Sequence, residues 1–475
     1  MKIVMIGGSA AGLIAAVVFA RAGHEVVVVE RDHLEPAADV EAAASTAFRA
    51  SAPQIVQPHV VLPLCRQLLI ERLPDVYQAL LDAGVLEAPL ATQMPPTLPD
   101  HSMWPGDERL GPMMTRRATV DWVLRNVAAA EPGVTVRGGE RVIGLRALPG
   151  DPPRVVGIRT RRAELDADLV LDASGRRSPL DQWLDGIGAR RSTTALAECG
   201  LAYYGRQYRV PPGADLPGPT TTRVVVPLDQ FLVGIWGGDN DTMQLALVPL
   251  AADRRFRSAR DPDVFTAALR TVPYYAAWLD ALEPITDVGV MGGLHNTLRR
   301  LVVDGRPVAL GLHVIGDSLC TTNPTFGRGL SLIMRNVTDL VEIVAEQPRD
   351  LLAQAYAVDR AITENIAPWY ADQAVGDTAL LAQLRHTVFG EPAPRPTPPS
   401  ADRITFAELR RAAPVDPVAF RAYFTIMGML GHPDDVYRDP RVIATVREVL
   451  ARTNGAPRMP QPTSEELLAA LSVPA

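Results

Sequence analysis

The chain has 475 residues, of which 47% are hydrophobic and 21% are charged, and its net charge is −7 at pH 7. This length is too great for a single core and predicts two or three domains, and the acidic balance argues against nucleic acid as a partner. No apolar run reaches the roughly 18 to 20 residues that cross a bilayer, and no space for a signal peptide precedes the first predicted strand. The three scattered cysteines suggest neither disulfides nor a metal site. We therefore expect a cytoplasmic protein without a transmembrane segment.

Residues 2 to 30 have the pattern of a strand, a glycine-rich turn, a helix and a second strand. "KIVMI" is typical of a buried parallel strand, "AGLIAAVVFARAG" predicts a helix that ends at Gly23, and "HEVVVVE" predicts a buried strand that closes on Glu30. This βαβ unit binds dinucleotides, with phosphate at the helix start and an acid on the ribose hydroxyls. The cofactor-binding residues predicted here are Gly7, Gly8, Ser9, Ala10, Ala11, Gly12, Glu30 and Arg31.

Ser9 occupies the position of the glycine that normally lets the backbone approach the phosphates. Serine is the smallest polar replacement, and we expect its hydroxyl to donate a hydrogen bond to a phosphate oxygen. Gly7 is expected to form the tight turn, and Gly12 to allow close packing of helix on strand. Glu30 suits NAD or FAD, but the long excursion after the unit, without regular βα alternation, favours FAD.

Two later segments each predict a strand that is followed by a turn. "ADLVLDASGRRSPLDQWL", residues 167 to 184, predicts a strand that ends at Asp172. In "RPVALGLHVIGDSLCTTNPTFGRGLSLIMRNVTDLVEIV", residues 306 to 344, a predicted strand ends at Asp317 and a long helix begins after Gly327. We expect Asp317 to hydrogen-bond a polyhydroxyl chain such as ribityl, and the positive end of the helix to face the pyrimidine edge of a flavin.

These three segments resemble the FAD-dependent monooxygenases of the para-hydroxybenzoate hydroxylase fold. The branch they are most similar to contains secondary-metabolite epoxidases and hydroxylases and the flavin halogenases. The resemblance extends over about residues 1 to 345 and includes "RASAPQIVQPHVVLPLCRQLLIERLPDVYQALLDAGV" (49 to 85) and "RRATVDWVLR" (116 to 125). It implies FAD as cofactor, with further contacts from Arg49, Arg117, Arg125, Asp172, Asp317, Pro324, Gly327 and Gly329.

The resemblance also implies an α/β fold with a Rossmann-like FAD-binding domain, an inserted antiparallel-sheet substrate domain and a helical C-terminal region. The FAD-binding domain is expected to be discontinuous, over residues 1–92, 107–180 and 297–347, with the substrate domain at 181–296. Within the latter, "GGDND" (237 to 241) predicts a hairpin turn. Residues 348–475 read as helices around a Pro-rich linker at 391–400, and could cap the pocket, form a dimer contact or pack as structural mass.

Candidate catalytic and substrate residues follow from the same layout. A phenol substrate needs a base to form the phenolate, whereas an alkene does not. The catalytic candidates are His59, in the Pro-Gln…His stretch, and His295, where the substrate sheet returns to the FAD domain. The alternative for each is a structural or surface histidine. His313 is predicted to be a core residue. The candidate substrate contacts are Tyr203, Trp236 and Met243.

The function these expectations favour is an FAD-dependent monooxygenase that inserts one oxygen atom from O2 into a hydrophobic small molecule, by hydroxylation or epoxidation. The resemblance places such an enzyme in secondary metabolism, including antibiotic biosynthesis. No second dinucleotide fingerprint is present, so electrons would come from transiently bound NAD(P)H or from a partner flavin reductase. A homodimer is possible on this sequence.

Three alternatives stay open: a flavin-dependent reductase or dehydrogenase acting on an isoprenoid-like substrate, a flavin halogenase, and a flavoprotein that only binds FAD as a structural or regulatory partner. Halogenases of the related branch use a lysine to capture hypohalous acid and carry a Trp-x-Trp-x-Ile-Pro motif. Here Lys2 is the sole lysine, and no two tryptophans stand two residues apart. Arginine cannot replace that lysine because its guanidinium stays protonated.

Overall fold

The computed structural model describes residues 1–33, 36–47, 49, 53–395, 400–453 and 458–472. Its strands, in chain order, are β1 (Lys2–Ile6), β2 (Glu25–Val29), β3 (Val60–Val61), β4 (Leu86–Glu87), β5 (Met113–Met114), β6 (Val134–Arg137), β7 (Val142–Leu148), β8 (Arg154–Thr160), β9 (Glu164–Asp166), β10 (Leu169–Asp172), β11 (Thr193–Glu198), β12 (Tyr203–Arg209), β13 (Arg223–Pro227), β14 (Phe231–Gly237), β15 (Thr242–Pro249), β16 (Glu283–Pro284), β17 (Gly289–Met291), β18 (His295–Arg300), β19 (Val302–Val303), β20 (Arg306–Pro307), β21 (Leu312–Val314) and β22 (Cys320–Thr321).

The α-helices are α1 (Ala10–Arg21), α2 (Val40–Ser45), α3 (Pro63–Arg72), α4 (Pro74–Asp82), α5 (Arg117–Ala130), α6 (Leu180–Gly186), α7 (Pro262–Arg270), α8 (Pro273–Ala281), α9 (Gly329–Glu346), α10 (Leu351–Asn365), α11 (Ala367–Phe389), α12 (Phe406–Ala412), α13 (Pro417–Met427), α14 (Pro433–Tyr437), α15 (Pro440–Thr453) and α16 (Ser464–Leu471). Among the described residues, no helix is both long and apolar enough to cross a membrane.

A five-stranded parallel sheet, in the order β21-β10-β1-β2-β6, forms the base of the molecule. Its strands come from all three segments predicted for the FAD-binding domain. Strands β1, β2 and β10 are largely apolar and buried, as parallel strands covered on both faces must be, whereas the edge strand β6 is mostly exposed. Helices α1, α5 and α9 pack together beside this sheet. The predicted strand–turn–helix–strand at residues 2 to 30 is confirmed, with β1, α1 and β2 in the expected places.

A six-stranded sheet, in the order β13-β14-β15-β12-β16 with β17 also paired to β12, stands against the parallel sheet. All the pairings in it are antiparallel. The predicted hairpin is confirmed: β14 pairs with β15, and Asn240 and Asp241 take positive φ in the turn between them. On the outer face of this sheet, α7 and α8 bury a separate apolar cluster that includes Phe265 and Trp278. The fold class is therefore the predicted one.

One buried ion pair ties the six-stranded sheet to the base. The Asp239 carboxylate, at the β14–β15 turn, lies 2.7 Å from Arg116 Nη2, and both side chains are almost fully buried. Thr119 Oγ1 on α5 donates to the same carboxylate at 2.7 Å. Because buried charges are stable only when they are paired and hydrogen-bonded, this contact fixes the sheet over the ends of the parallel strands.

The C-terminal region is helical, as predicted, from α10 through α16. Helices α12, α13 and α15 enclose a small core of their own, with Leu409, Ile426 and Val446 fully buried. Residues 396–399 of the predicted Pro-rich linker lie outside the described residues. Helix α11 packs against β18 and β11, which brings it close to the loop before α9.

Candidate active site

A cavity of about 450 Å³ opens between the two sheets. On one side it is lined by the carboxyl ends of β1 and β2 and by the loops that follow β10 and β21; on the other it is lined by the six-stranded sheet. Ligands bind in this position, outside the carboxyl ends of the strands, in open parallel sheets. The predicted residues that line it are Gly7, Ser9, Ala10, Ala11, Glu30, Arg31, Arg49, His59, Arg117, Trp236, Asp317, Pro324, Gly327 and Gly329.

The glycine-rich turn needs glycine at two positions for steric reasons. Gly7 has φ of +109°, and a Cβ atom there would lie 2.5 Å from the carbonyl oxygen of Ala173. A Cβ atom on Gly12 would lie only 1.8 Å from the carbonyl oxygen of Gly7. The turn is therefore pressed against both α1 and the end of β10. Ala10 and Ala11, which begin α1 and whose N–H groups have no partner within the helix, line the cavity.

The Glu30 carboxylate closes the other side of this turn. It is buried and accepts hydrogen bonds from Gly8 N at 2.6 Å and from Asp32 N at 2.9 Å. Each carboxylate oxygen keeps a second acceptor site, and Glu30 lines the cavity. Glu30 can therefore hold the turn and still accept hydrogen bonds from two ribose hydroxyls.

Three arginines surround one buried carboxylate beside the start of α1. Arg117 Nε lies 2.9 Å from Asp121 Oδ1, and Arg49 Nη2 lies 3.4 Å from Asp121 Oδ2 and 3.3 Å from Ser9 Oγ. Arg125 is the third member, and burial and the nearby Arg49 charge lower its pKa. Asp121 contacts two of these arginines, and the Glu30 and Asp32 charges act on Arg125. The cluster therefore carries more positive charge than the acid in direct contact with it balances.

Unpaired donors in this cluster allow a test of whether a pyrophosphate fits. Among the described residues, the Nε atoms of Arg49 and Arg125 are buried without a hydrogen-bond partner. Buried donors of this kind are costly unless a ligand satisfies them. A doubly charged pyrophosphate would match both the excess charge and the unpaired donors, so the residues present fit a dinucleotide cofactor such as FAD. Ser9 accepts from Arg49, which leaves its own hydroxyl hydrogen free for the predicted phosphate contact.

Asp172 is placed differently from the other predicted contacts. It is fully buried, does not line the cavity, and accepts from Ser174 N at 2.9 Å and from the Ser178 hydroxyl. The carboxylate therefore shapes the loop after β10, and that loop presents Ser174 and Gly175 to the cavity. Gly8, Gly12 and Arg125 likewise support the cavity without lining it.

Asp317 lies at the end of β21, in a short 3-10 helix that lines the cavity. Burial raises the pKa of its carboxyl, and the charges of Arg117 and Arg176 act in the opposite direction. No side chain or amide among the described residues donates a hydrogen bond to this carboxylate. Its acceptor sites are thus available to the hydroxyls of a ligand. Gly327, Gly329 and the N-terminus of α9 line the same part of the cavity.

The C-terminal region braces the loop that carries these residues. Arg328, almost fully buried, lies 2.5 Å from Asp372 Oδ2 and donates to Trp369 O at 3.1 Å. Asn323 Nδ2 donates to Asp377 Oδ1 at 2.8 Å. Helix α11 therefore fixes the loop between β22 and α9 from outside the cavity. These contacts could not be predicted from local patterns, because Asp372 and Asp377 belong to no recognised motif.

His59 is the predicted catalytic histidine that does reach the cavity. Its backbone pairs with the Gln244 side chain at 3.1 and 3.3 Å, and its Nε2 atom is buried without a partner among the described residues. Burial lowers the pKa of the ring to about 3, helped by the Arg117 charge. His59 is therefore neutral near pH 7. It can exchange hydrogen bonds with a ligand, but it is a weak general base.

Three other residues predicted as catalytic or substrate contacts lie outside the cavity, which corrects that expectation: His295, Tyr203 and Met243. His295 is exposed at the start of β18, opposite Glu198. Tyr203 is buried and its hydroxyl donates to Asn323 Oδ1, so it supports the loop before α9. Met243 is fully buried in the outer apolar cluster, because it points to the opposite face of β15 from Gln244. Of the three candidate substrate contacts, Trp236 alone lines the cavity.

Further cavity residues were not predicted. They include Gln57, Arg176, Arg223, Met291 and Leu294. Met291 and Leu294 are buried apolar residues at the end of β17 and beyond, and with Trp236 they form an apolar wall facing the cofactor half. Arginines are abundant in this chain. Composition and spacing therefore could not single out Arg176 or Arg223.

No family model matches the chain. Protein Rv3254 of Mycobacterium tuberculosis is 27% identical over 470 residues, which cover 92% of this chain and 91% of that protein. The similarity thus runs through the cofactor half, the substrate sheet and most of the C-terminal region.

Solved structures share the fold over nearly the whole chain. The flavin-dependent brominase Bmp2 superposes with a TM-score of 0.62 at 15% identity, covering 96% of this chain and 99% of its own. A flavoprotein/dehydrogenase from Cytophaga hutchinsonii gives 0.62 at 14% identity, with 95% and 99% covered. PqsL, a probable FAD-dependent monooxygenase from Pseudomonas aeruginosa, gives 0.55 at 15% identity, with 82% and 98% covered. The chain therefore has the fold of the FAD-dependent monooxygenases and flavin-dependent halogenases.

Proposed function

We propose that this protein is an FAD-dependent oxidoreductase, and specifically a monooxygenase that inserts one oxygen atom from O2 into a hydrophobic small molecule. The observation that carries the proposal is the composition of one cavity. Its base combines the start of α1, the Arg49–Arg117–Asp121 cluster and Asp317, and its opposite wall is apolar. A charged cofactor and an apolar substrate would meet between these two surfaces.

The chemistry that FAD supplies when bound is transfer of electrons to O2. The residues that would hold it are those already described: the arginine cluster for the pyrophosphate, Glu30 for the adenosine ribose and Asp317 for the ribityl hydroxyls. The N-terminus of α9 would stabilise negative charge on the flavin pyrimidine edge. In this proposal, backbone atoms make the contacts predicted for five further residues: Ala10, Ala11, Pro324, Gly327 and Gly329.

The apolar wall would position the substrate and exclude water. Trp236, Met291 and Leu294 all line the cavity and are at most 8% exposed. Excluding water protects a reactive intermediate from side reactions. His59 would orient the substrate through its free Nε2 atom, and its low basicity suits an alkene or a substrate already ionised better than a neutral phenol.

Electrons are proposed to come from transiently bound NAD(P)H or from a partner flavin reductase. A homodimer is also proposed, supported by exposed apolar side chains on two packed elements: Leu196 of β11 is 65% exposed and Val375 of α11 is 72% exposed. A cytoplasmic location in secondary metabolism, including antibiotic biosynthesis, completes the proposal. The three free buried cysteines are in keeping with that location.

Oxygen insertion is favoured over halogenation by the position of Lys2. This sole lysine begins β1, whereas the glycine-rich turn follows the far end of that strand, roughly 15 Å away at about 3.3 Å per residue. Lys2 also does not line the cavity, so it is not placed to guide hypohalous acid to a substrate there. A reductase or dehydrogenase acting on an isoprenoid-like substrate is the alternative, and the Cytophaga flavoprotein/dehydrogenase lends it support.

The test is turnover of FAD-loaded protein with indole, styrene and 2-naphthol under ¹⁸O2, in the presence of chloride and bromide. NADH and NADPH are compared, each with and without an added flavin reductase, and protein stripped of flavin is the control. We expect a product with one ¹⁸O atom and no halogen. A halogenated product would establish the halogenase alternative, and flavin reduction by substrate without O2 would establish the dehydrogenase.

A further inference from the structure

Arg223 is a half-buried cation on the apolar side of the cavity. It is the first residue of β13 and pairs across the sheet with Trp236 of β14. Cross-strand partners share one face of a sheet, and both residues line the cavity. Arg223 and Trp236 therefore belong to the same wall of the cavity, opposite the glycine-rich turn.

Among the described residues, Arg223 lines the cavity without an acidic partner, unlike Arg49, Arg117 and Arg328. Arg176, in the loop after β10, also has no ion pair, but the Asp317 charge acts on it. Arg49 and Arg117 contact Asp121, and Arg328 contacts Asp372. In the described part of the chain, no carboxylate lies within 4.0 Å of Arg223, and its one polar contact is Nη2 with Phe326 O at 3.5 Å. A partly buried charge gains more from an ion pair than an exposed one does. The wall thus holds a cation that is free to pair with an anionic ligand.

A second half-buried guanidinium lies near the same tyrosine as Arg223. Arg410 of α12 also has no acidic partner among the described residues, and burial lowers its pKa as it does that of Arg223. The Tyr423 phenol is the titratable group close enough to act on both arginines. Phe406, next to Tyr423, packs on Phe326 with ring centroids 5.1 Å apart. Helices α12 and α13 therefore place aromatic rings near Arg223, and no described carboxylate lies within 4.0 Å of either arginine.

We propose that Arg223 binds a carboxylate carried by the substrate, so that the substrate class is an aromatic or otherwise apolar carboxylic acid. The planar guanidinium matches a carboxylate through two parallel hydrogen bonds. Trp236, Met291 and Leu294 would contact the apolar body of the same molecule. This site is separate from the arginine cluster at the start of α1, which lies on the cofactor side. The inference rests on the proposed function, since it names the substrate class of that cavity.

The experiment is calorimetric titration of the FAD-loaded protein with four acids: benzoate, trans-cinnamate, indole-3-acetate and 2-naphthoate. Each acid is compared with its neutral carboxamide, which has nearly the same shape. We expect at least one acid to bind about tenfold to a hundredfold more tightly than its amide, the range for a charge-assisted hydrogen-bond pair. Arg223→Gln should abolish this preference and Arg223→Lys should keep part of it.

Arg141→Gln is the matched control, because Arg141 is an exposed arginine on the cofactor side of the same cavity; it should keep the full preference. The proposal is overturned if no acid binds, if acids and amides bind equally, or if Arg223→Gln weakens both equally. It is also overturned if the preference survives Arg223→Gln and FAD is lost instead. Preference for acids in a protein that holds no FAD would contradict the proposed function and leave this inference standing.

Discussion

The Asp377 carboxylate of α11 accepts a hydrogen bond from the Asn323 side chain at 2.8 Å, inside the protein and 54 residues away in sequence. Asn296 Nδ2 and Gln373 Nε2 donate to the same carboxylate at 2.7 and 2.9 Å. Through this one acid, the C-terminal region fixes the loop that presents Pro324 and Gly327 to the cavity. The C-terminal region is therefore part of the support of the candidate site.

Asp377→Ala should destabilise the protein and weaken FAD binding. The substitution leaves three buried amide donors without their acceptor, a loss of about 3 kcal/mol or more. Thermal unfolding and fluorimetric titration with FAD measure the two effects. Glu364→Ala, an exposed acid at the end of α10, is the control and should leave both unchanged. A stable variant with wild-type FAD affinity would show that the loop does not depend on α11.

Gly12→Ala should prevent FAD binding, because its Cβ atom would lie 1.8 Å from the Gly7 carbonyl oxygen and force the turn away from α1. Gly376→Ala, in α11, is the matched control: a Cβ atom there meets no atom within 4 Å, and alanine is the better helix former by about 1 kcal/mol. Flavin absorbance per mole of purified protein measures the outcome. Full flavin content in Gly12→Ala would contradict the assigned turn.

Asp317→Ala should weaken FAD binding by about 1.5 to 3 kcal/mol, the range for a hydrogen bond to a charged group. The reason is that Asp317 lines the cavity and its carboxylate has acceptor sites free for hydroxyls. Asp317→Asn should weaken binding less. Asp287→Asn removes an exposed acid and serves as the control. Equal dissociation constants for wild type and Asp317→Ala would remove the ribityl assignment.

Acid should destabilise the fold through His313, which is 4% exposed on β21. Burial lowers the pKa of this ring from 6.5 to about 4, so the folded state binds its proton less tightly than the unfolded chain does. The contribution of His313 to stability is complete above pH 6.5 and is lost as the pH falls toward 4, by about 2 kcal/mol at pH 5.

Urea unfolding at pH 7, 6 and 5 checks this expectation. His313→Leu should show a smaller loss of unfolding free energy between pH 7 and 5 than the wild type, whatever its absolute stability. His101→Gln replaces an exposed histidine and should keep the wild-type dependence. The same pH dependence in His313→Leu as in the wild type would mean that His313 is not neutral in the folded state.

The cofactor half of the site was predictable because its signals are local. The strand at residues 2 to 6, the turn at Gly7 and the acid at Glu30 lie within one βαβ unit, and each follows from spacing and turn sterics. The hairpin after β14 was equally local, since its turn residues take the positive φ that the sequence favours.

The substrate half was not predictable at the level of single residues. Strands β14 and β15 are buried on both faces, so their sequences do not alternate and do not reveal which face meets the cavity. For that reason the sequence pattern does not separate Met243, which faces the outer cluster, from Trp236, which lines the cavity. Arg223 and Asp377 act through contacts between distant segments, which local sequence patterns do not encode.

The central claim, that this cavity holds FAD, is tested most directly by identifying the cofactor of the purified protein. The protein is denatured, and the released flavin is separated by chromatography and measured against FAD and FMN standards. The account predicts a yellow protein that releases FAD in near-stoichiometric amount, because Glu30 and the turn from Gly7 to Gly12 fit an adenosine diphosphate half. A protein that releases FMN, or a colourless protein that takes up no FAD on titration, would contradict it.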